Sequence, residues 1–175
     1  VPFLSVLKLI LRLCLLRAGP QDLPASYGWL AASIGGYTLL SVFNVLPLYS
    51  WGNALAQAVV ETSVLAAWIY GALILAHHPG RLVQTLTAVA AAGTVMGILL
   101  TPQVYALFRA EANGISAPFT SFSYLLTVGW TLAVFGRIFQ HALDLRQAWL
   151  GVMVALALVL TSSLLIIGIF GGMAG

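Results

Sequence analysis

Trp51-Gly-Asn53-Ala-Leu-Ala-Gln57-Ala-Val-Val-Glu61-Thr-Ser-Val-Leu-Ala-Ala-Trp68-Ile-Tyr70-Gly-Ala-Leu-Ile-Leu75 is the run that decides the fold. A bilayer crossing takes about 20 predominantly apolar residues, and this run exceeds that length. Its one acidic or basic side chain, Glu61, lies near its middle. A carboxyl group at that depth is costly, so it is expected to be paired, protonated or functional. Asn53, Gln57 and Glu61 recur at i, i+4 and i+8, which puts them on one stripe of a helix. A lipid-facing stripe of this kind would cost several kcal/mol of desolvation, so it is expected to face other helices.

The rest of the chain has the same character. Of 175 residues, 61% are hydrophobic and 6% charged, against roughly 25% charged in a soluble domain. Mean hydropathy is +1.03. So few charges cannot build a water-facing surface, and the chain reads as one integral membrane domain. Lys8 and six arginines against Asp22, Glu61, Glu111 and Asp144 give a net charge of +3, too thin for a nucleic-acid surface. Cys14 is the single cysteine, so no intrachain disulfide or cysteine-based metal cluster can form. Lipidation of Cys14 is conceivable, and a plain buried thiol is the simpler reading.

Five spans are expected: Tyr27 to Val45, Trp51 to Leu75, Leu82 to Leu100, Phe119 to Phe139, and Trp149 to Phe170. Pro47, His77-His78-Pro79-Gly80, Pro102 and Gly171-Gly172 punctuate them. Pro102 marks an end or a kink, with Gln103 to Ala110 a short continuation beyond the core. Val1 to Arg17 is shorter than a span, and Ser5, Lys8 and Arg12 stripe one of its faces, so it reads as an amphipathic interfacial helix. The fold expected is therefore all-α and polytopic, with an interfacial helix over residues 1–19 and a five-helix transmembrane domain over 20–175.

Charge sets the orientation. With five spans, Lys8, Arg12, Arg17, Arg81, Arg137 and Arg146 share one side and Arg109 holds the other. The positive-inside rule then places the N-terminus in the cytoplasm and the C-terminus outside. The same six basic residues read as contacts for anionic lipid headgroups. Histidines 77, 78 and 141 gather on that side too, but interfacial histidines are commonly just solvated, so no metal or cofactor is assigned.

Small residues mark where helices pack. Span three carries Gly93 and Gly97 as a GxxxG, extended one turn by Ala90. Span one offers Ala32 and Gly36, and span five Gly151 and Ala155. Such ridges serve internal packing or a homodimer face. Partners considered for Glu61 are Thr94, Thr127, Thr131, Thr161, Ser162 and Ser163, all at compatible depths. With no basic residue at its level, Glu61 is expected to be largely protonated. It is then a proton or cation relay, a hydrogen-bonded structural acid, or half of a pair with another subunit's cation.

Enzyme readings fail on geometry. Ser116 and the three histidines fall on opposite sides of a membrane core about 30 Å thick, so no Ser-His pair forms. There is no carboxylate pair for two-metal chemistry, no Walker loop and no dinucleotide fingerprint.

The layout resembles the Yip-type small five-span membrane proteins. The parts that carry the resemblance are the amphipathic Val1–Arg17 segment, the Asp22-Leu23-Pro24 break, the Arg81 to Ala88 start of span three, and Gly36-Tyr37. The resemblance implies a non-enzymatic protein of trafficking, membrane organisation or complex assembly. Arginine over lysine and the Ala, Leu and Gly richness fit a bacterial inner membrane. The function expected is an accessory, scaffold or assembly component contacting lipid and other membrane subunits or a second copy of itself. The alternative is a small transporter or channel subunit using Asn53, Gln57 and Glu61 as its polar path.

Overall fold

A computed structural model describes residues 3–170, and the Gly171-Gly172 terminator of the last span lies outside them. Six α-helices make up the described chain: α1 (Phe3–Cys14), α2 (Tyr27–Val45), α3 (Trp51–Leu75), α4 (Leu82–Ala112), α5 (Pro118–Ala142) and α6 (Ala148–Phe170). Single 3₁₀ turns at Pro20–Asp22 and Pro79–Arg81 precede α2 and α4. No strand occurs among the described residues.

Four helices are long and apolar enough to cross a membrane: those spanning Trp51–Leu75, Pro79–Ala112, Pro118–Ala142 and Ala148–Phe170. The fifth expected span, α2, is not among them. Its 19 residues form the expected helix but include Ser33, Tyr37, Thr38, Ser41 and Asn44, which lower its hydropathy. Tyr37, Thr38 and Asn44 bond side chains of neighbouring helices.

The central element is α4. Every residue from Thr85 to Gly93 is buried, so this stretch is covered on all sides, and burial resumes at Met96 and Gly97. Its small residues Ala90, Gly93 and Gly97 let α2 approach closely. A Cβ on Gly93 would sit 2.7 Å from the Tyr37 ring, and one on Gly97 would sit 3.3 Å from Leu40 Cβ. Gly36 faces Thr94 in return, at 3.2 Å. The GxxxG ridge is therefore an internal seam between α2 and α4, which run parallel. Of the two uses such a ridge has, internal packing is the one this chain makes.

The tightest seam lies elsewhere. A Cβ on Gly151 of α6 would fall 2.1 Å from the carbonyl oxygen of Gly136 on α5, and one on Gly136 would fall 2.9 Å from the backbone of Val152. Here two backbones touch. Gly151 was legible as a small-residue position; its partner Gly136, flanked by Phe135 and Arg137, was not.

Pro102 does not end α4, which runs on to Ala112 as one helix. An interior proline removes one backbone donor and opens the ladder locally. Side chains flank the gap: Thr101 donates to the Gly97 carbonyl at 2.7 Å, and Gln103 Nε2 donates to the Leu99 carbonyl at 3.0 Å. The short helix expected after Pro102 is thus the continuation of α4 itself.

Helix α1 exposes Ser5, Lys8 and Arg12 on one side. Its other face is more deeply engaged than an interfacial placement requires. Val6, Ile10, Leu13 and Cys14 join the main core alongside Leu86 and Val89 of α4 and Ile138 of α5. Trp130, in the middle of α5, donates its indole N–H to the Cys14 carbonyl at 3.0 Å. Burial pushes the Cys14 thiol up to about 11, so it stays protonated at neutral pH.

Three helices end alike. Leu16, His77 and Asp144 take positive φ of 61°, 60° and 52° just past α1, α3 and α5. In each case the next N–H returns to a carbonyl five residues back: Arg17 to Arg12, His78 to Leu73, Leu145 to Gln140. This is the Schellman closure, usually built on glycine. His77 and Asp144 lie at the end of the bundle that carries Arg81, Arg137 and Arg146.

Candidate functional site

A polar interior forms where α2, α3, α4 and α5 meet. Glu61 turns inward and Tyr37 Oη donates to its Oε1 at 2.7 Å. One residue along each helix, the hydroxyls of Thr38 and Thr62 bond at 2.9 Å. These two rungs tie α2 to α3. A third, Thr101 Oγ1 donating to Asn44 Oδ1 at 2.9 Å, ties α2 to α4. A fourth, Gln103 Nε2 donating to Thr127 Oγ1 at 3.1 Å, ties α4 to α5. Bonds of this kind between membrane helices contribute on the order of 0.6 kcal/mol each, up to about 1.7.

Two cavities meet at Glu61. One of about 160 Å³ lies towards α4 and α5, lined among others by Tyr37, Ser41, Asn44 and Thr131. The other, of about 110 Å³, lies towards α6 and includes Ser162 and Ser163. Tyr37, Glu61 and Phe135 line both and form the wall between them. Each could hold a few waters, since a polar void with several partners hydrates readily.

Below Glu61, towards the basic end, the interior changes. Leu65, Ile69 and Leu73 continue its face of α3 and are buried. They meet Val134, Phe135, Ile138 and Phe139 of α5 and Ala155 and Leu158 of α6. Trp68 packs edge-on to Phe139 at 5.7 Å. The buried threonines in this half, Thr85 and Thr87, donate to carbonyls of Arg81 and Val83 one turn back on their own stretch of chain. The polar region is thus closed on this side by an apolar layer.

The sequence-predicted stripe separates in space. Glu61 is half-buried and lines both cavities; Asn53 and Gln57 line neither. Gln57 is buried, and its Oε1 has no hydrogen-bond partner among the described residues. Of the partners expected for Glu61, Thr131, Ser162 and Ser163 line the cavities, while Thr94 and Thr161 bond carbonyls of their own helices. The direct partner, Tyr37, was missed. The signal was present: Tyr37 lies eight residues before the end of α2 and Glu61 ten residues after the start of α3, hence at similar depth in antiparallel neighbours. A phenol also reaches further than a threonine.

The basic end forms a separate cluster. Arg81 pairs with Asp144 at 3.0 Å and donates to the carbonyls of His141 and Ala142, both at 3.1 Å, closing the C-terminal end of α5. His78 Nε2 lies 3.2 Å from the same Asp144 carboxylate. The Arg81 hydrogen bond, with the charges of Arg81, His78 and His141, holds the Asp144 carboxyl below the usual carboxylate range. Asp144 has left the helix, so its partners are across the bundle and not His141 one turn away. Arg137 donates to Gln140 Oε1 at 3.0 Å, and Lys8, Arg12, Arg17 and Arg146 are exposed. Among the described residues no group of three or more His, Cys, Asp or Glu gathers as a metal site would need.

Comparison with protein-family models, with curated proteins and with solved structures finds no match.

Proposed function

We propose that the chain is a non-catalytic integral membrane protein, an accessory, scaffold or assembly component that meets other membrane helices and lipid along its sides. In this reading α2 is a fifth crossing, despite its lower hydropathy, because its polar groups are satisfied inside the bundle. The six basic residues face the cytoplasm against anionic headgroups, α1 rests at that boundary, and the layout is Yip-type. A bacterial inner membrane is the proposed location.

The observation that carries this reading is the Tyr37–Glu61 bond above a closed apolar layer. A carboxyl group satisfied by a neighbouring helix and sealed from one face works as a tie between helices. Helix α6 adds to it: only 11% of its most apolar window is buried, which leaves a long apolar flank for lipid or a partner helix.

One observation favours the alternative, a small transporter or channel subunit. Two cavities carrying hydroxyl and amide groups meet at Glu61, as a gated path through the bundle would require. Glu61→Gln separates the readings, since glutamine keeps an acceptor for Tyr37. The scaffold reading expects the variant to keep every co-purifying membrane subunit seen with the wild type, by mass spectrometry after gentle extraction. Flux into proteoliposomes that is present in the wild type and abolished in the variant would establish the transporter instead.

A further inference from the structure

A groove of about 600 Å³ opens on the lipid-facing side of the bundle, away from Glu61. Gly71, Ala72 and Ala76 form its floor at the end of α3, Val154 of α6 forms its far wall, and Leu143 and Leu145 of the α5–α6 connection close it at the level of the helix ends. Its size is within the range of about 300–1,000 Å³ typical of ligand pockets.

Three features select the occupant. The groove follows α3 only from Trp68 to Ala76, about 12 Å of helix, against a hydrocarbon core of about 30 Å. A spanning partner helix would run past this length and collide with the connection that carries Leu143 and Leu145. A flexible acyl chain entering from mid-bilayer and ending at headgroup level meets no such obstacle. Second, the chain turns basic on leaving the closed end. Arg146 directly follows Leu145, is exposed, and makes no ion pair among the described residues, whereas Arg81 and His78 are committed to Asp144. Third, α6 begins at Ala148, three residues after Leu145, so its first-turn N–H groups and positive dipole end follow on the same connection. A guanidinium next to a helix N-terminus recognises a phosphate.

We infer that this groove holds one acyl chain of an anionic phospholipid, with the headgroup phosphate at Arg146 and the start of α6. The inference rests on the membrane-spanning reading and is independent of the scaffold role, because it concerns a lipid and not a protein partner.

The test is native mass spectrometry of the full chain reconstituted with equal amounts of phosphatidylglycerol and phosphatidylcholine. The wild type is expected to retain one phosphatidylglycerol per chain, preferred about fivefold, the advantage one basic side chain gives an anionic headgroup. Ala72→Trp fills the groove floor and is expected to lose the retained lipid while eluting as the wild type does. Arg146→Gln is expected to keep a lipid and lose the preference. Should Ala72→Trp fail to fold, the surface variant Arg146→Gln decides alone. Equal retention of the two lipids by the wild type, an undiminished preference in Arg146→Gln, or a bound lipid in folded Ala72→Trp would each overturn the inference. So would a second copy of the chain in place of the lipid, displaced by Ala72→Trp.

Discussion

Gly151→Ala is expected to be the most damaging single methyl that can be added to this chain. The new Cβ would lie 2.1 Å from the Gly136 carbonyl oxygen and 3.0 Å from the Gln140 backbone nitrogen. Both obstacles are backbone, so no rotamer relieves them and α6 must move off α5. Overpacking a close seam costs about 1–3 kcal/mol, and this contact sits at the upper end because whole helices must separate. Gly168→Ala on the same helix is the control: nothing lies within 4 Å of its Cβ, and alanine is the better helix former. Thermal unfolding in detergent should therefore fall sharply for Gly151→Ala and hold or rise for Gly168→Ala. Equal behaviour of the two would mean that α6 does not pack on α5 through these glycines.

Gly93→Ala and Gly97→Ala should differ although they share one GxxxG motif. At Gly93 the added methyl meets the Tyr37 ring at 2.7 Å, and that ring is held in place by its bond to Glu61. Relieving the contact displaces the phenol, so the cost includes a polar tie as well as packing, about 1–3 kcal/mol in all. At Gly97 the nearest atom is Leu40 Cβ at 3.3 Å, which a shift of a few tenths of an ångström accommodates. Alanine's helix propensity then offsets much of the strain there. Stability should drop for Gly93→Ala and change little for Gly97→Ala, with no change of oligomeric state in either. Unchanged stability together with conversion of a dimer to a monomer would place the ridge on an intermolecular face.

Much of this was legible in the sequence, and the limits have physical causes. Helices α2 and α3 end just before Pro47 and the His77-His78-Pro79-Gly80 run, as predicted, because local breakers act on the chain itself. Helix α4 outran its predicted end because a helix can pass an interior proline for the loss of one backbone hydrogen bond, and composition does not decide whether it does. The inward turn of Glu61 followed from its cost in lipid. Its partner depended on the register between two antiparallel helices, which hydropathy does not encode. The stripe Asn53-Gln57-Glu61 shares a helix face, yet α3 meets different neighbours along its length, so the three side chains do not reach one site. The basic end was visible as charge, while the pairing of Asp144 with Arg81 and His78 required the Schellman closure that lifts Asp144 off α5.

The central claim is that Glu61 is turned into the bundle and held there by Tyr37. A double-mutant cycle with Tyr37→Phe and Glu61→Leu, read as unfolding free energy, tests it most directly. Each single change strands a polar group and should cost about 1–3 kcal/mol, while the double change strands neither. The account predicts that the double variant is less destabilised than the sum of the singles by about 0.5–2 kcal/mol. Strict additivity of the two changes would show that the side chains do not meet and would contradict it.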